Sequence, residues 1–186
     1  MHNLPNILTM FRIAMIPALY LAFQVDGHLG DWLCMVIFAA ACITDFFDGW
    51  VARRYDVQSG FGRMLDPIAD KLTIATSLIL LAHAHLVTDI HLVAAVIIMC
   101  REVLVSGLRE YLIELRVSLP VSTLAKYKTT IQMIAIGFLL SDEAGQAILA
   151  PAHEIGLVLL WIAALLTLIT GYDYLRQGLK HAKWKD

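Results

Sequence analysis

The chain has 186 residues, of which 59% are hydrophobic and 16% charged, and its mean hydropathy is +0.71. Soluble domains lie nearer about 45–50% apolar and 25% charged, so composition excludes an ordinary water-soluble enzyme and points to a polytopic membrane protein. The net charge of −2 excludes nothing by itself; the placement of the charges is more informative.

Six apolar segments fall near residues 7–25, 32–54, 61–86, 91–114, 122–140 and 153–176. Each is about as long as the 20-residue helix that crosses a bilayer. No stretch alternates with period two, which argues against a barrel. The expected fold is all-α: one domain over residues 1–186, with six transmembrane helices and an interfacial N-terminal helical segment. Three cysteines, Cys34, Cys42 and Cys100, lie in apolar runs without metal-type spacing and read as buried, inert thiols. The N-terminus lacks a basic stretch before its first apolar run and a small-residue cleavage site, so a cleaved signal peptide is not expected.

The first segment opens Asn3-Leu-Pro5-Asn6-Ile-Leu-Thr9-Met-Phe-Arg12. Pro5 suits a first helical turn. Asn6, Thr9 and Arg12 recur every three residues and form a polar stripe on an apolar helix. The stripe reads equally as an interfacial anchor, with Arg12 snorkelling toward water, and as part of a site.

The second and third segments carry the most unusual feature of the chain. It reads Asp45-Phe-Phe-Asp48-Gly49-Trp-Val-Ala52-Arg53, then eight residues, then Gly62-Arg-Met-Leu-Asp66-Pro-Ile-Ala-Asp70. An Asp at mid-membrane costs about 2.5–3.5 kcal/mol on insertion scales, so four cost on the order of 10 kcal/mol unless something compensates them. Asp45, Asp48 and Ala52 share one helical face, and Gly62, Asp66 and Asp70 share another. Two antiparallel helices joined by a short loop can turn these faces toward each other, with Gly49, Ala52 and Gly62 keeping the walls free of bulk. Carboxylate oxygens without neighbouring His or Cys are ligands for hard cations such as Mg²⁺, Mn²⁺ or Ca²⁺. Two such ions can clamp a diphosphate, and a carboxylate left unligated suits a general base.

Charge orients the chain. The turns at 26–31, 83–91 and 141–154 contain no Lys or Arg, so all 14 basic residues lie on the other side or on half-spans leading to it. The positive-inside rule then puts both termini and the aspartate cluster on the cytoplasmic side. Span four carries Arg101 and Glu102 near its middle and Arg109 eight residues later, and the fifth span begins Ala125-Lys126-Tyr127-Lys128. Arg101, Arg109 and Lys126 can hold a second, anionic substrate. Lys128, Arg116 and the basic tail read as lipid-headgroup anchors.

Two other readings of the acids stand beside the metal site. Ion pairing with Arg53, Arg54, Arg63 and Lys71 explains one or two carboxylates, not four that converge. An ion path through a transporter meets no acidic relay in spans five and six and no inverted repeat of the aspartate pair.

The pattern Asp45-x2-Asp48-Gly49-x2-Ala52-Arg53-x8-Gly62-x3-Asp66-x3-Asp70 resembles the complete signature of the CDP-alcohol phosphatidyltransferases. Four further stretches are similar to the bacterial branch of that family that uses sn-glycerol 3-phosphate as acceptor. These are the opening Asn3–Arg12, Leu65–Leu72 with Arg101–Glu110, and Ala125–Met133. The resemblance implies a six-helix membrane fold of a bacterial inner membrane, a homodimer, and two divalent cations, Mg²⁺ or Mn²⁺. It implies transfer of a phosphatidyl group from CDP-diacylglycerol to sn-glycerol 3-phosphate with release of CMP. By the same resemblance Asp45, Asp48, Asp66 and Asp70 hold the metals, and Asp70 also takes the proton from the acceptor hydroxyl. Asn6, Thr9, Gly49, Ala52, Arg53 and Gly62 line the CDP-lipid pocket. Inositol phosphate, serine or phosphatidylglycerol as acceptor would use the same donor site, and the basic residues of spans four and five bear on that choice.

Overall fold

The computed structural model describes residues 4–55, 60–114, 117 and 123–181, with side chains over 7–47, 62, 64–114, 117 and 123–179. Among these residues every regular element is a helix: α1 (Leu4–Ala22), α2 (His28–Tyr55), α3 (Gly60–His83), α4 (Asp89–Glu114), α5 (Thr123–Leu140), α6 (Asp142–Ile148) and α7 (Ala152–His181). An apolar chain in lipid must satisfy its backbone hydrogen bonds internally, which the helix does. Hydroxyls inside these helices do the same by donating to the carbonyl one turn back, as Thr44 does to Ala40, Thr73 to Ala69 and Ser77 to Thr73.

Among the described residues three stretches are long and apolar enough to cross a membrane, His28–Phe47, Asp89–Glu114 and Ala152–Leu179, and Ile7–Ala22 is a shorter apolar helix. The chain is therefore read as an integral membrane protein. Large apolar side chains such as Ile79, Val103, Ile148 and Leu165 are exposed, as a lipid-facing surface requires. The six-span expectation goes further than these helices. Asp66, Asp70 and Lys71 lower the hydropathy of α3, and α5 has only 18 residues, two of them lysines.

The chain forms two units, each built from two stretches of sequence: 1–86 with 136–156, and 87–135 with 157–186. In the first, Arg12 of α1 meets Asp66 of α3, and Phe23 just past α1 meets His83 at the end of α3. These contacts advance together along both helices, so α1 and α3 run parallel, and α2 returns antiparallel, packed mainly on α1. The α1–α2 turn is tight. Gly27 has a positive φ of 77°, and a Cβ on Gly30 would lie 1.8 Å from the Val25 carbonyl oxygen.

The second unit repeats this directional logic with α4 and α7. Trp161 Nε1 donates to His91 Nδ1 at 3.0 Å, Arg101 meets Thr170, and Gly178 lies against Leu108 and Leu112. The pairs again advance in step, so α4 and α7 are parallel, and the chain must travel back between them.

Helix α6 lies inside the turn read from sequence as 141–154. Seven residues in a polar setting carry too little periodicity to stand out. Asp31 on α2 accepts a 3.1 Å hydrogen bond from the Ala144 amide and so caps α6 from another element. Near it a cavity of about 180 Å³ is lined by Phe23, Asp26, Gly30, Asp31, Leu86 and Asp142. The cysteines are less uniform than expected: Cys34 is buried, Cys42 intermediate, and Cys100 exposed on α4. An apolar span has a lipid-facing side, and Cys100 sits on it.

Candidate functional site

The first set of functional residues is built from α1, α2 and α3. Arg12 is only 1% exposed, deep in the first unit. Its Nη1 lies 2.9 Å from Asp45 Oδ1 on α2 and 2.8 Å from Asp66 Oδ1 on α3. The two carboxylates are one-third and about one-quarter exposed, at 33% and 27%. One buried cationic nitrogen thus gathers acids from two helices, compensating charges that would be costly alone. The snorkelling alternative for Arg12 fails, because its guanidinium is turned inward. The sequence left Arg12 open between an interfacial anchor and part of a site, and the Asn6–Thr9–Arg12 stripe was the signal for the second.

Thr9 is also buried, at 1% exposed, one turn before Arg12. Gly62 is buried and Asp70 half-buried on α3, one turn past Asp66. Pro67 sits between these acids inside α3, where it supplies no backbone N–H to the helix. Asn6 and the α2 residues Asp48, Gly49, Ala52 and Arg53 belong to helical backbone, but their side chains lie outside the described residues.

The donors in hand fit a hard divalent cation. They are carboxylate oxygens, they come from facing helices, and Asp45 and Asp66 already converge on a positive charge. Among the described residues no three His, Cys, Asp or Glu side chains form a complete cation cage; Asp48, the remaining signature acid, lies outside them.

The second set lies in the other unit. Glu102 Oε1 accepts from Arg101 Nη1 at 3.3 Å and also pairs with Lys128 Nζ. Arg101 Nη2 donates to Thr170 Oγ1 at 3.3 Å. Lys128 is 3% exposed and ion-paired, which overturns its reading as a headgroup anchor. Lys126, two residues away, is exposed. Positions two apart on a helix point about 200° apart, so only one of the pair can turn toward α4. Nothing in the residue order distinguishes the two. Arg109 is exposed, with its guanidinium carbon 5.8 Å from the centre of the Tyr174 ring. Arg101 therefore joins a hydrogen-bonded cluster, while Arg109 and Lys126 are surface cations.

Comparison with known proteins bears on both sets. The sequence model of the CDP-alcohol phosphatidyltransferase family matches residues 2–169. A protein of Rickettsia bellii named CDP-diacylglycerol–glycerol-3-phosphate 3-phosphatidyltransferase is 46% identical, over 96% of this chain and 97% of its own. Proteins of the same name from Yersinia enterocolitica and Cereibacter sphaeroides are 41% and 36% identical. The former match covers 99% of this chain and 96% of the relative, and the latter 97% of each.

Proposed function

The chain belongs to the CDP-alcohol phosphatidyltransferase family, and we propose that it transfers the phosphatidyl group of CDP-diacylglycerol to sn-glycerol 3-phosphate, giving phosphatidylglycerophosphate and CMP. The observation that carries this reading is the near-complete match, at 46% identity, to a relative bearing that name.

In this reading Asp45, Asp48, Asp66 and Asp70 hold two divalent cations, Mg²⁺ or Mn²⁺. When bound, the cations neutralise the donor's diphosphate and ease the departure of CMP. Asn6, Thr9, Gly49, Ala52, Arg53 and Gly62 line the pocket for the CDP end of the donor. Asp70 accepts the proton of the acceptor hydroxyl as its oxygen attacks the phosphorus in line. Arg12 holds Asp45 and Asp66 at a fixed separation, so that the donor meets a preformed charge pattern.

Arg101 holds the acceptor's phosphate, and the exposed Arg109 and Lys126 attract it from solution. Arg101 Nε is buried with no hydrogen-bond partner among the described residues, a condition that a bound anion relieves. Among the described residues Arg101 and Lys128 meet on the carboxylate of Glu102.

The proposed topology is six spans in a bacterial inner membrane, with both termini and the site cytoplasmic. Supporting it are the parallel course of α1 with α3 and of α4 with α7, together with turns free of basic residues at one end. A homodimer is proposed with it. The test is to supply the purified protein with CDP-diacylglycerol and, in separate reactions, labelled sn-glycerol 3-phosphate, inositol phosphate, serine and phosphatidylglycerol. CMP release with sn-glycerol 3-phosphate alone is expected. Release with another acceptor alone would transfer the assignment to that alcohol, and coupled ion flux without CMP release would overturn the enzyme reading.

A further inference from the structure

We propose that Glu102 and Thr170 are positioning residues for acceptor recognition: they hold the guanidinium of Arg101 in the orientation that meets the acceptor's phosphate. The inference rests on the reading of Arg101 given above and goes beyond it by naming what orients the arginine.

Arg101 sits near the middle of α4 on a long, many-jointed side chain, and a guanidinium recognises phosphate through the direction of its N–H bonds. Three parts of it are constrained. Nη1 lies 3.3 Å from Glu102 Oε1, and Nη2 lies 3.3 Å from Thr170 Oγ1. The stem runs against Gly171, where a Cβ would come within 2.9 Å of Cγ and 3.5 Å of Nε. Nε is left without a hydrogen-bond partner among the described residues.

The geometry of each partner is specific. Consecutive helix residues do not face each other, yet Arg101 and Glu102 meet at one oxygen. Both side chains therefore bend toward a common point, and Lys128 of α5 arrives at the same oxygen. Lys128 thus anchors Glu102 from a second helix. Thr170 has given its own hydrogen to the Leu166 carbonyl at 2.8 Å, so its oxygen turns a lone pair toward Arg101. Glu102 and Thr170 each hold one Nη atom, and each Nη keeps a second N–H for an anion. Gly171 makes room for the stem. A methyl group there would push Arg101 off this line.

The experiment measures KM for sn-glycerol 3-phosphate and for CDP-diacylglycerol separately, in the full-length protein, with thermal unfolding of each variant as the folding control. Thr170→Val keeps the shape of the side chain and removes the acceptor oxygen; Thr170→Ser restores it. Thr170→Val and Glu102→Gln should each raise the acceptor KM by about 5- to 30-fold, as expected for a lost hydrogen bond to a charged group. The donor KM should stay within about twofold, and Thr170→Ser should behave as the parent. Gly171→Ala should shift the acceptor KM in the same direction. In an Arg101→Ala background Thr170→Val should add nothing further, because the two act as one unit. Equal increases in both KM values, or full additivity in that background, would overturn the proposal. An acceptor KM unmoved by Arg101→Ala itself would instead sink the reading of Arg101 on which the proposal stands.

Discussion

Arg12 and Asp66 are joined by a 2.8 Å ion pair between α1 and α3, and the same Arg12 nitrogen reaches Asp45 of α2 at 2.9 Å. A buried arginine therefore supplies positive charge where the acids would otherwise repel each other. Replacing it with Gln leaves those carboxylates facing one another without their shared cation. Breaking a buried pair costs about 3–5 kcal/mol. Arg12→Gln is expected to lower Tm sharply in the presence of a chelator. Mn²⁺ or Mg²⁺ should recover more of that loss in the variant than it adds to the parent protein, because ligand binding stabilises the folded state by mass action. Thermal unfolding with and without metal measures both. A drop that metal leaves untouched would count against a cation site at Asp45 and Asp66.

Asp70 stands one turn beyond Asp66 on α3 and is half-buried. As the base of the proposed reaction its loss should be nearly complete. Asp70→Asn is expected to reduce turnover by about 10²- to 10⁴-fold, with CDP-diacylglycerol binding still measurable by equilibrium titration. Turnover within about tenfold of the parent would remove Asp70 from that role.

Arg109 lies over the Tyr174 ring at 5.8 Å, with its side chain exposed. An exposed cation can gather the acceptor's phosphate from solution without holding it rigidly. Arg109→Ala is expected to raise the KM for sn-glycerol 3-phosphate much more than that for CDP-diacylglycerol, and the effect in the parent should weaken with added salt. Steady-state kinetics at two ionic strengths checks both. Similar shifts for the two substrates would argue against an acceptor role.

At the opposite end of the first unit, Asp142 begins α6. Its pKa is raised above the ordinary 3.8, first by burial, then by Asp31 and Glu143, with His153 opposing. A carboxyl with a raised folded pKa binds its proton more readily folded than unfolded. Its stabilising share is complete below the unfolded value and is lost as pH rises through the folded one. The α6 turn is therefore expected to lose protection on going from acid to neutral pH. Asp142→Asn should remove that dependence, as read by hydrogen exchange of the α6 amides. An unchanged pH profile in the variant would assign the dependence to another group.

The apolar helices His28–Phe47, Asp89–Glu114 and Ala152–Leu179 were legible because hydropathy varies on the scale of a whole helix. That Asp45 of α2 and Asp66 of α3 meet was legible because acids in apolar helices need compensation. The partner of those acids was not. Arg12 at the membrane edge and Arg12 turned inward have the same sequence, and only packing separates them. Lys126 and Lys128 pose the same difficulty, since both are basic, close together and near the start of α5. The sequence-based assignment favoured Lys126 for the acceptor, whereas Lys128 is the one buried against Glu102. Helix α6 escaped notice because its cap comes from Asp31, more than a hundred residues earlier in the chain.

Neither unit is continuous in sequence: residues 136–156 complete the first, and 157–186 complete the second. A ribosome feeding this chain into the bilayer delivers α1, α2 and α3 well before the segment with which they finish packing. Asp31 waits for an amide that emerges 113 residues later. The early helices must therefore remain in the membrane as a partly assembled group while α4 and most of α5 are made. A chain arrested before residue 156 leaves Asp45 and Asp66 inside an unfinished unit, with Arg12 of α1 as a positive charge made before either of them.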